Sequence, residues 1–130
     1  MNTLNQYRAY QVETSSPEDL IVLLYDGARR FVDQAAAALA ARQYEQVTVN
    51  TAKAQRILEE LTVTLNDDAG EIAANLRQLY DYWMWRLSQG LIKQDPAAFA
   101  EVSNYLSDFR EVWAEAARKV RAERALSAHG

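Results

Sequence analysis

The side chains that most often carry metal or nucleophilic chemistry are scarce in this chain of 130 residues. Cys is absent, and the single histidine, His129, stands beside the C-terminus. A di-iron site in a helical bundle needs Glu-x-x-His pairs on inward helix faces, and a haem ligand or a serine triad also needs a well-placed histidine. The sequence therefore predicts no metal site, no cofactor and no histidine-dependent catalysis.

Two groups of charged residues could support other chemistry. Asp67 and Asp68, followed by Glu71, lack the repeated acidic spacing of a calcium loop, so helix capping explains them better. An all-helical enzyme that binds a dianion needs several cations that converge inside the bundle. Periodicity places the available arginines off the apolar stripes, so we disfavour this enzyme alternative: Arg29, Arg56 and Arg77.

Composition and charge restrict the class of protein further. Four Gly, two Pro and 49% hydrophobic residues are typical of long helices in a single domain. A net charge of −4 and a pI near 5.0 argue against nucleic acid, which needs a basic face. The sequence shows neither a signal peptide nor an apolar run long enough for membrane insertion, and the lack of Cys suits a reducing compartment. We therefore predict a cytoplasmic protein.

Helix starts are signalled twice by a capping residue followed by proline, at Ser16-Pro17 and at Asp95-Pro96. The first predicted helix runs from residue 17 to about 41, and the second follows residues 42–43 and ends at the turn formers of 66–70. The third spans 71 to about 94. The fourth begins at 96 and ends in a basic run that suits a helix C-terminus.

Each predicted helix carries an apolar stripe at steps of three and four residues. Because each stripe needs cover and the connections are short, we predict an all-α, antiparallel, up-down four-helix bundle over residues 16–124. Residues 1–15 read as a flexible N-terminal arm, and residues 125–130 as a disordered tail.

The aromatic residues of the third helix fall on two different faces. At about 100° per residue, Trp83 lies on the core stripe together with Ile72, whereas Trp85 and Ile92 point nearly opposite. Tyr82 lies between the two faces. Four further aromatic side chains fit the core stripes, namely Phe31, Phe99, Phe109 and Trp113.

Helix two repeats the pattern more weakly, with Val49 and Val63 directed outward and Ile57 at the border of the buried stripe. Singly exposed apolar residues are normal, but an outward Trp and Ile one heptad apart with a Tyr close by form a patch that suits a partner segment. We favour an interaction surface over incidental exposure. The N-terminal arm or a second copy of the chain could also cover it.

Two stretches resemble signatures of the FliS flagellar chaperones. Residues 7–11 read YRAYQ and residues 15–28 read SSPEDLIVLLYDGA, similar to the family's tyrosine pair followed by SPE(E/D)L and LYDGA. Residues 70–82, GEIAANLRQLYDY, followed by Arg86-Leu87, resemble its second signature. The chain departs from the pattern at Trp83-Met84-Trp85, where less aromatic residues are expected, so this part of the surface is individual.

The resemblance implies a non-catalytic export chaperone that binds the disordered C-terminal segment of flagellin, prevents its early polymerisation and passes it to the export gate. It also implies that the arm bearing Tyr7 and Tyr10 covers part of the bundle until cargo displaces it. Together with Ile57, Tyr82, Trp85 and Ile92, these tyrosines form the predicted partner-binding set. Whether an export-gate protein, an anti-sigma factor or a co-chaperone also binds stays open. The alternative function is a small self-associating structural bundle.

Overall fold

A computed structural model describes residues 16–129 of the chain. That range forms four α-helices, numbered here in chain order: α1 Pro17–Ala40, α2 Tyr44–Val63, α3 Glu71–Lys93 and α4 Pro96–His129. A short 3-10 helix, Asp67–Ala69, lies in the connection between α2 and α3. These residues contain no strand, and the helices pack against one another, which confirms the predicted all-α bundle.

The two predicted capping residues begin their helices as expected. The Ser16 hydroxyl accepts a hydrogen bond from the Asp19 amide at 3.2 Å, and the Ser16 amide donates to the Asp19 carboxylate at 3.4 Å. This reciprocal pair is a capping box, which satisfies amides that the first turn leaves without partners. At the start of α4, the Asp95 carboxylate accepts from the Ala97 amide at 3.0 Å. Local sequence therefore fixes both helix starts.

Adjacent helices run antiparallel. Helix α1 packs mainly against α2 and α4, and α3 packs against the same two helices. The contacts between α1 and α4 show their direction, because Asp26 pairs with Arg110 whereas Asp33, one heptad later, contacts Ser103, one heptad earlier. Short connections between packed consecutive helices give the up-down topology of a four-helix bundle.

The centre of the bundle is an aromatic cluster. Tyr25, Tyr80 and Trp83 are at most 1% exposed, and the hydroxyl oxygens of the two tyrosines are 2.7 Å apart. The Trp83 ring meets the Tyr25, Tyr80 and Phe109 rings at centroid distances of 6.4, 5.5 and 5.4 Å. Burial raises the pKa of Tyr25, so its hydroxyl stays neutral. We call these four residues the inner aromatic cluster.

The predicted core aromatics differ in their depth. Trp83 and Phe99 are fully buried, as predicted. Phe31, Phe109 and Trp113 are partly buried and pack against the core. The Phe31 ring shows what a partly buried position permits, since the cationic groups of Arg30 and Lys53 lie 5.0 and 5.4 Å from its centroid.

The end of α4 differs from the predicted tail at residues 125–130. The helix continues through Ala125 and Leu126 to His129, and the side chains of residues 121–128 are exposed. Residues 120–129 contain neither Gly nor Pro, so nothing in the local sequence stops the helix. The predicted arm at 1–15 lies outside the described residues. None of the described helices combines the length and the apolar character that crossing a membrane requires.

Candidate functional site

The outer surface of α3 carries an exposed apolar patch at the predicted position. Trp85 is 55% exposed, Ile92 is 73% exposed and Tyr82 is 39% exposed. The Tyr82 and Trp85 rings contact each other at a centroid distance of 5.9 Å. Ile92 lies one heptad beyond Trp85, two turns along the same face. We call these three residues the outer α3 patch. The predicted exposure of Trp85 and Ile92 is confirmed, and Tyr82, predicted to lie between the two faces, is exposed to a smaller extent.

A polar network joins the patch to α4. The Tyr82 hydroxyl donates a hydrogen bond to one carboxylate oxygen of Glu101 at 2.5 Å, and Arg86 Nε donates to the other at 2.9 Å. Arg86 also pairs with Asp95 at 3.6 Å. These two hydrogen bonds lower the pKa of Glu101, and the bond to Glu101 raises the pKa of Tyr82. The network therefore holds a charged carboxylate against a neutral phenol.

Tyr105 extends the aromatic surface onto α4. It is not among the partner-binding residues predicted from the sequence. Its side chain is 39% exposed, and its ring stacks on Trp83 at a centroid distance of 5.8 Å. Tyr105 thus lies between the inner aromatic cluster and the solvent, on the helix that carries Glu101. The sequence signal for Tyr105 was its position next to Leu106 on the apolar stripe. Neighbouring residues are about 100° apart around a helix, so Tyr105 lies near the border of the buried face.

Ile57 lies in the core, so the structure does not bring it to an exposed partner-binding surface. Only 5% of it is exposed. The reason is the close approach of α1, where a Cβ added at Gly27 would lie 3.2 Å from Ile57 Cδ1. Helix α1 therefore covers the border of the apolar stripe of α2 at Ile57. Val49 and Val63 on the same helix are exposed, as predicted.

The two tyrosines of the arm, Tyr7 and Tyr10, lie outside residues 16–129, so the structure gives them no position. The bundle end at which α1 begins does carry an apolar cleft of about 190 Å³. It is lined by residues of α1, α3, α4 and the α2–α3 connection: Ile21, Thr64, Leu65, Asn66, Ala69, Ile72, Ala73, Leu76, Tyr80 and Trp113. We call it the end cleft.

Ile72 lines the end cleft and is 69% exposed, whereas its place on the apolar stripe predicted burial. It is the second residue of α3. A stripe is buried only where neighbouring elements cover it, and at the start of α3 that cover reaches Ala73, which is 4% exposed, but not Ile72. The prediction for Ile72 was therefore wrong, and the exposed side chain adds to the apolar surface at this end.

The described residues offer little support for other chemistry. They contain no group of three or more acidic, His or Cys side chains able to hold a metal ion. Arg29 and Arg56 are exposed and Arg77 is half-buried, so none of the three is a cation enclosed in the core. Arg29 instead pairs with Asp33 one turn away at 3.7 Å. Apolar surface is the main chemical feature of the site.

Comparisons with known proteins agree with this description. The sequence matches the family model described as "Flagellar protein FliS" over residues 1–120. It is 40% identical to the flagellar secretion chaperone FliS of Bacillus subtilis over 123 residues, which covers 92% of each chain. It is 32% identical to the FliS of Salmonella typhimurium over 116 residues, 83% of this chain and 82% of the relative.

A third relative, the flagellar secretion chaperone FliSB of Pseudomonas aeruginosa, is 30% identical over 118 residues, 87% of this chain and 94% of the relative. Each of these matches covers more than four fifths of both chains. The chain therefore belongs to the FliS family of flagellar secretion chaperones.

Proposed function

We propose that this chain is a cytoplasmic flagellar export chaperone that binds the disordered C-terminal segment of flagellin, prevents its early polymerisation and delivers it to the export gate. The protein acts by binding and catalyses no reaction. Family membership supports the chaperone class. The observation that carries the binding proposal is the outer α3 patch, in which a half-exposed Trp contacts a Tyr on the surface of the bundle.

An extended apolar surface is what such cargo requires. A disordered segment that folds on binding loses conformational entropy, and wide apolar contact must offset that loss. The outer α3 patch and Tyr105 provide aromatic contacts along one side of the bundle, and the end cleft provides an apolar concavity at its end. Aromatic side chains commonly dominate the energy of protein interfaces. The chaperone thus offers aromatic side chains that can anchor the cargo and an apolar surface that can contact an extended segment.

The test is a titration of the full chain with flagellin from the same organism, by calorimetry and by complex mass in solution. We expect a one-to-one complex with full-length flagellin and no binding to flagellin that lacks its C-terminal segment. Equal binding to both flagellins would contradict the proposed function. Self-association without any flagellin complex would instead favour the small structural bundle.

We further propose that the arm bearing Tyr7 and Tyr10 covers part of the cargo surface and is displaced by flagellin. The end cleft supports this proposal because Ile21, in the second turn of α1 and five residues beyond Ser16, lines it. A covering arm lowers the apparent affinity for cargo, since only the uncovered state binds. Further proposed partners are an export-gate protein, an anti-sigma factor and a co-chaperone. Each is tested by titrating the full chain with that protein in place of flagellin.

Deletion of residues 1–15 tests the role of the arm. We expect the thermal midpoint to stay nearly unchanged and the affinity for flagellin to rise, because cargo no longer competes with the arm. The double variant Tyr7→Ala/Tyr10→Ala in the full chain should show the same change. A much lower thermal midpoint after deletion would make residues 1–15 part of the core, which contradicts a displaceable arm.

A further inference from the structure

Tyr82 is held by two contacts although it lies at the surface. Its ring contacts Trp85, and its hydroxyl donates to Glu101. Glu101 is itself fixed by Arg86 at 2.9 Å, and Arg86 reaches a second carboxylate, Asp95, at 3.6 Å. Each member of this chain of contacts is therefore oriented by the next. A side chain that is 39% exposed would otherwise sample several rotamers.

The Arg86–Glu101 pair is better shielded from water than another pair that joins two helices. The side chains of Arg86 and Glu101 are 22% and 31% exposed. Those of Arg110 and Asp26, which join α4 to α1 at 3.0 Å, are 36% and 46% exposed. Because exposed pairs are weakened by solvent and by side-chain entropy, partial shielding favours a persistent contact. Arg86 can thus keep Glu101 in place before any partner arrives.

We infer that Glu101 is a positioning residue for cargo binding, which holds the Tyr82 ring against Trp85 in the orientation that the cargo contacts. This inference rests on the proposed function and assigns a role on α4 to a residue that need not touch the cargo. Immobilising a side chain on binding lowers affinity by about 2- to 10-fold. A ring that is already fixed in the free protein avoids that loss.

The experiment titrates the full chain with the C-terminal segment of flagellin and compares Glu101→Ala, Tyr82→Phe and the double variant. Each single change should weaken binding by about 2- to 10-fold. The double variant should bind no more weakly than Glu101→Ala, because Glu101 acts through the Tyr82 hydroxyl. A further loss when Glu101→Ala is added to Tyr82→Phe would overturn the inference, since Glu101 would then act on the cargo directly.

Glu101→Gln provides a conservative rescue, because its amide oxygen can still accept the hydrogen bond from Tyr82, while an NH2 group replaces the oxygen that accepts from Arg86. Its affinity should fall between those of the native protein and Glu101→Ala. NMR spectra of tyrosine-labelled protein should show the Tyr82 ring changing its environment in Glu101→Ala and staying close to native in Glu101→Gln. An unchanged Tyr82 ring in Glu101→Ala would contradict positioning.

Asp26→Ala is the matched control, because it also removes a carboxylate that joins two helices through an arginine. It should leave the affinity for the flagellin segment unchanged. An equal loss in Asp26→Ala would mean that general loosening of the bundle accounts for the effect, which overturns the inference. Trp85→Ala distinguishes the positioning role of Glu101 from cargo binding by the outer α3 patch. If Trp85→Ala weakens binding and Glu101→Ala does not, only the positioning role is contradicted. If neither variant weakens binding, cargo binding by the patch is contradicted as well.

Discussion

The inner and outer faces of α3 use the same residue types in opposite environments. Tyr80 and Trp83 are at most 1% exposed and belong to the inner aromatic cluster. Tyr82 and Trp85, each two residues further along the chain, are 39% and 55% exposed. Two residues are about 200° apart around a helix, so each pair is divided between core and solvent. The inner pair therefore stabilises the fold, whereas the outer pair is available for a partner.

Truncation of the inner tryptophan should have the largest effect on stability. Trp83→Ala removes a fully buried ring that meets four other aromatic rings. We expect a loss of about 3–5 kcal/mol in the free energy of unfolding, a large share of the stability of a small domain. Urea unfolding followed by far-UV circular dichroism measures it. A loss below about 1 kcal/mol would contradict the central position of this ring.

Removal of the inner hydroxyl should have the next largest effect. Tyr80→Phe removes the hydroxyl that lies 2.7 Å from the Tyr25 hydroxyl in the core and leaves Tyr25 the Trp113 side chain as its polar partner, which should cost about 0.5–1.5 kcal/mol. The double variant Tyr25→Phe/Tyr80→Phe should recover part of that loss, because both buried hydroxyls are then absent. Tyr82→Phe is the matched outer control, and its unfolding midpoint should change little because Tyr82 is open to water. Equal losses in the free energy of unfolding for Tyr80→Phe and Tyr82→Phe would contradict the division of the two tyrosines between core and solvent.

Gly90 tests how closely α3 approaches α4 on the inner face. A Cβ at this position would lie 2.8 Å from Ala98 Cβ and 3.1 Å from the Phe99 ring, so Gly90→Ala forces the two helices apart. Overpacking should cost about 1–3 kcal/mol, and the better helix propensity of Ala offsets about 1 kcal/mol of it. We expect a small net destabilisation by thermal unfolding. A more stable Gly90→Ala protein would show that the helices are less tightly packed here.

Periodicity and local capping signals predicted most of this fold. Ser16 and Asp95 act within one turn of the chain, so their roles can be inferred from neighbouring residues. The phase of α3 correctly separated Trp83 from Trp85 because a straight helix keeps its angle over two residues. These features depend on contacts of short range or on helix geometry alone.

The predictions that differ from the structure depend on where one helix meets another. Ile57 is buried because Gly27 lets α1 approach closely, and Ile72 is exposed because the cover over the start of α3 reaches Ala73 but not Ile72. Neither fact can be inferred from the period of a single helix. The same applies to Tyr105 and Glu101, whose relation to the outer α3 patch arises only when α4 packs beside α3.

Truncation of the outer tryptophan should have the smallest effect on stability. Trp85→Ala removes a side chain that is more than half exposed, and surface changes usually fall within about 0.5 kcal/mol. We expect a urea midpoint close to that of the native protein. Leu126→Ala, at an exposed position near the end of α4, is the matched control for loss of a surface apolar group. Failure of Trp85→Ala to fold would contradict the helical phase itself.

The most direct test of the account is the affinity of Trp85→Ala for the C-terminal segment of flagellin, measured by calorimetry with the full chain. Aromatic anchors at the centre of an interface carry much of the binding energy, so we expect affinity to fall by about tenfold or more. Folding stability should stay unchanged in the same protein, and Leu126→Ala should bind like the native protein. Native affinity in a folded Trp85→Ala protein would contradict the claim that the outer α3 patch binds the cargo.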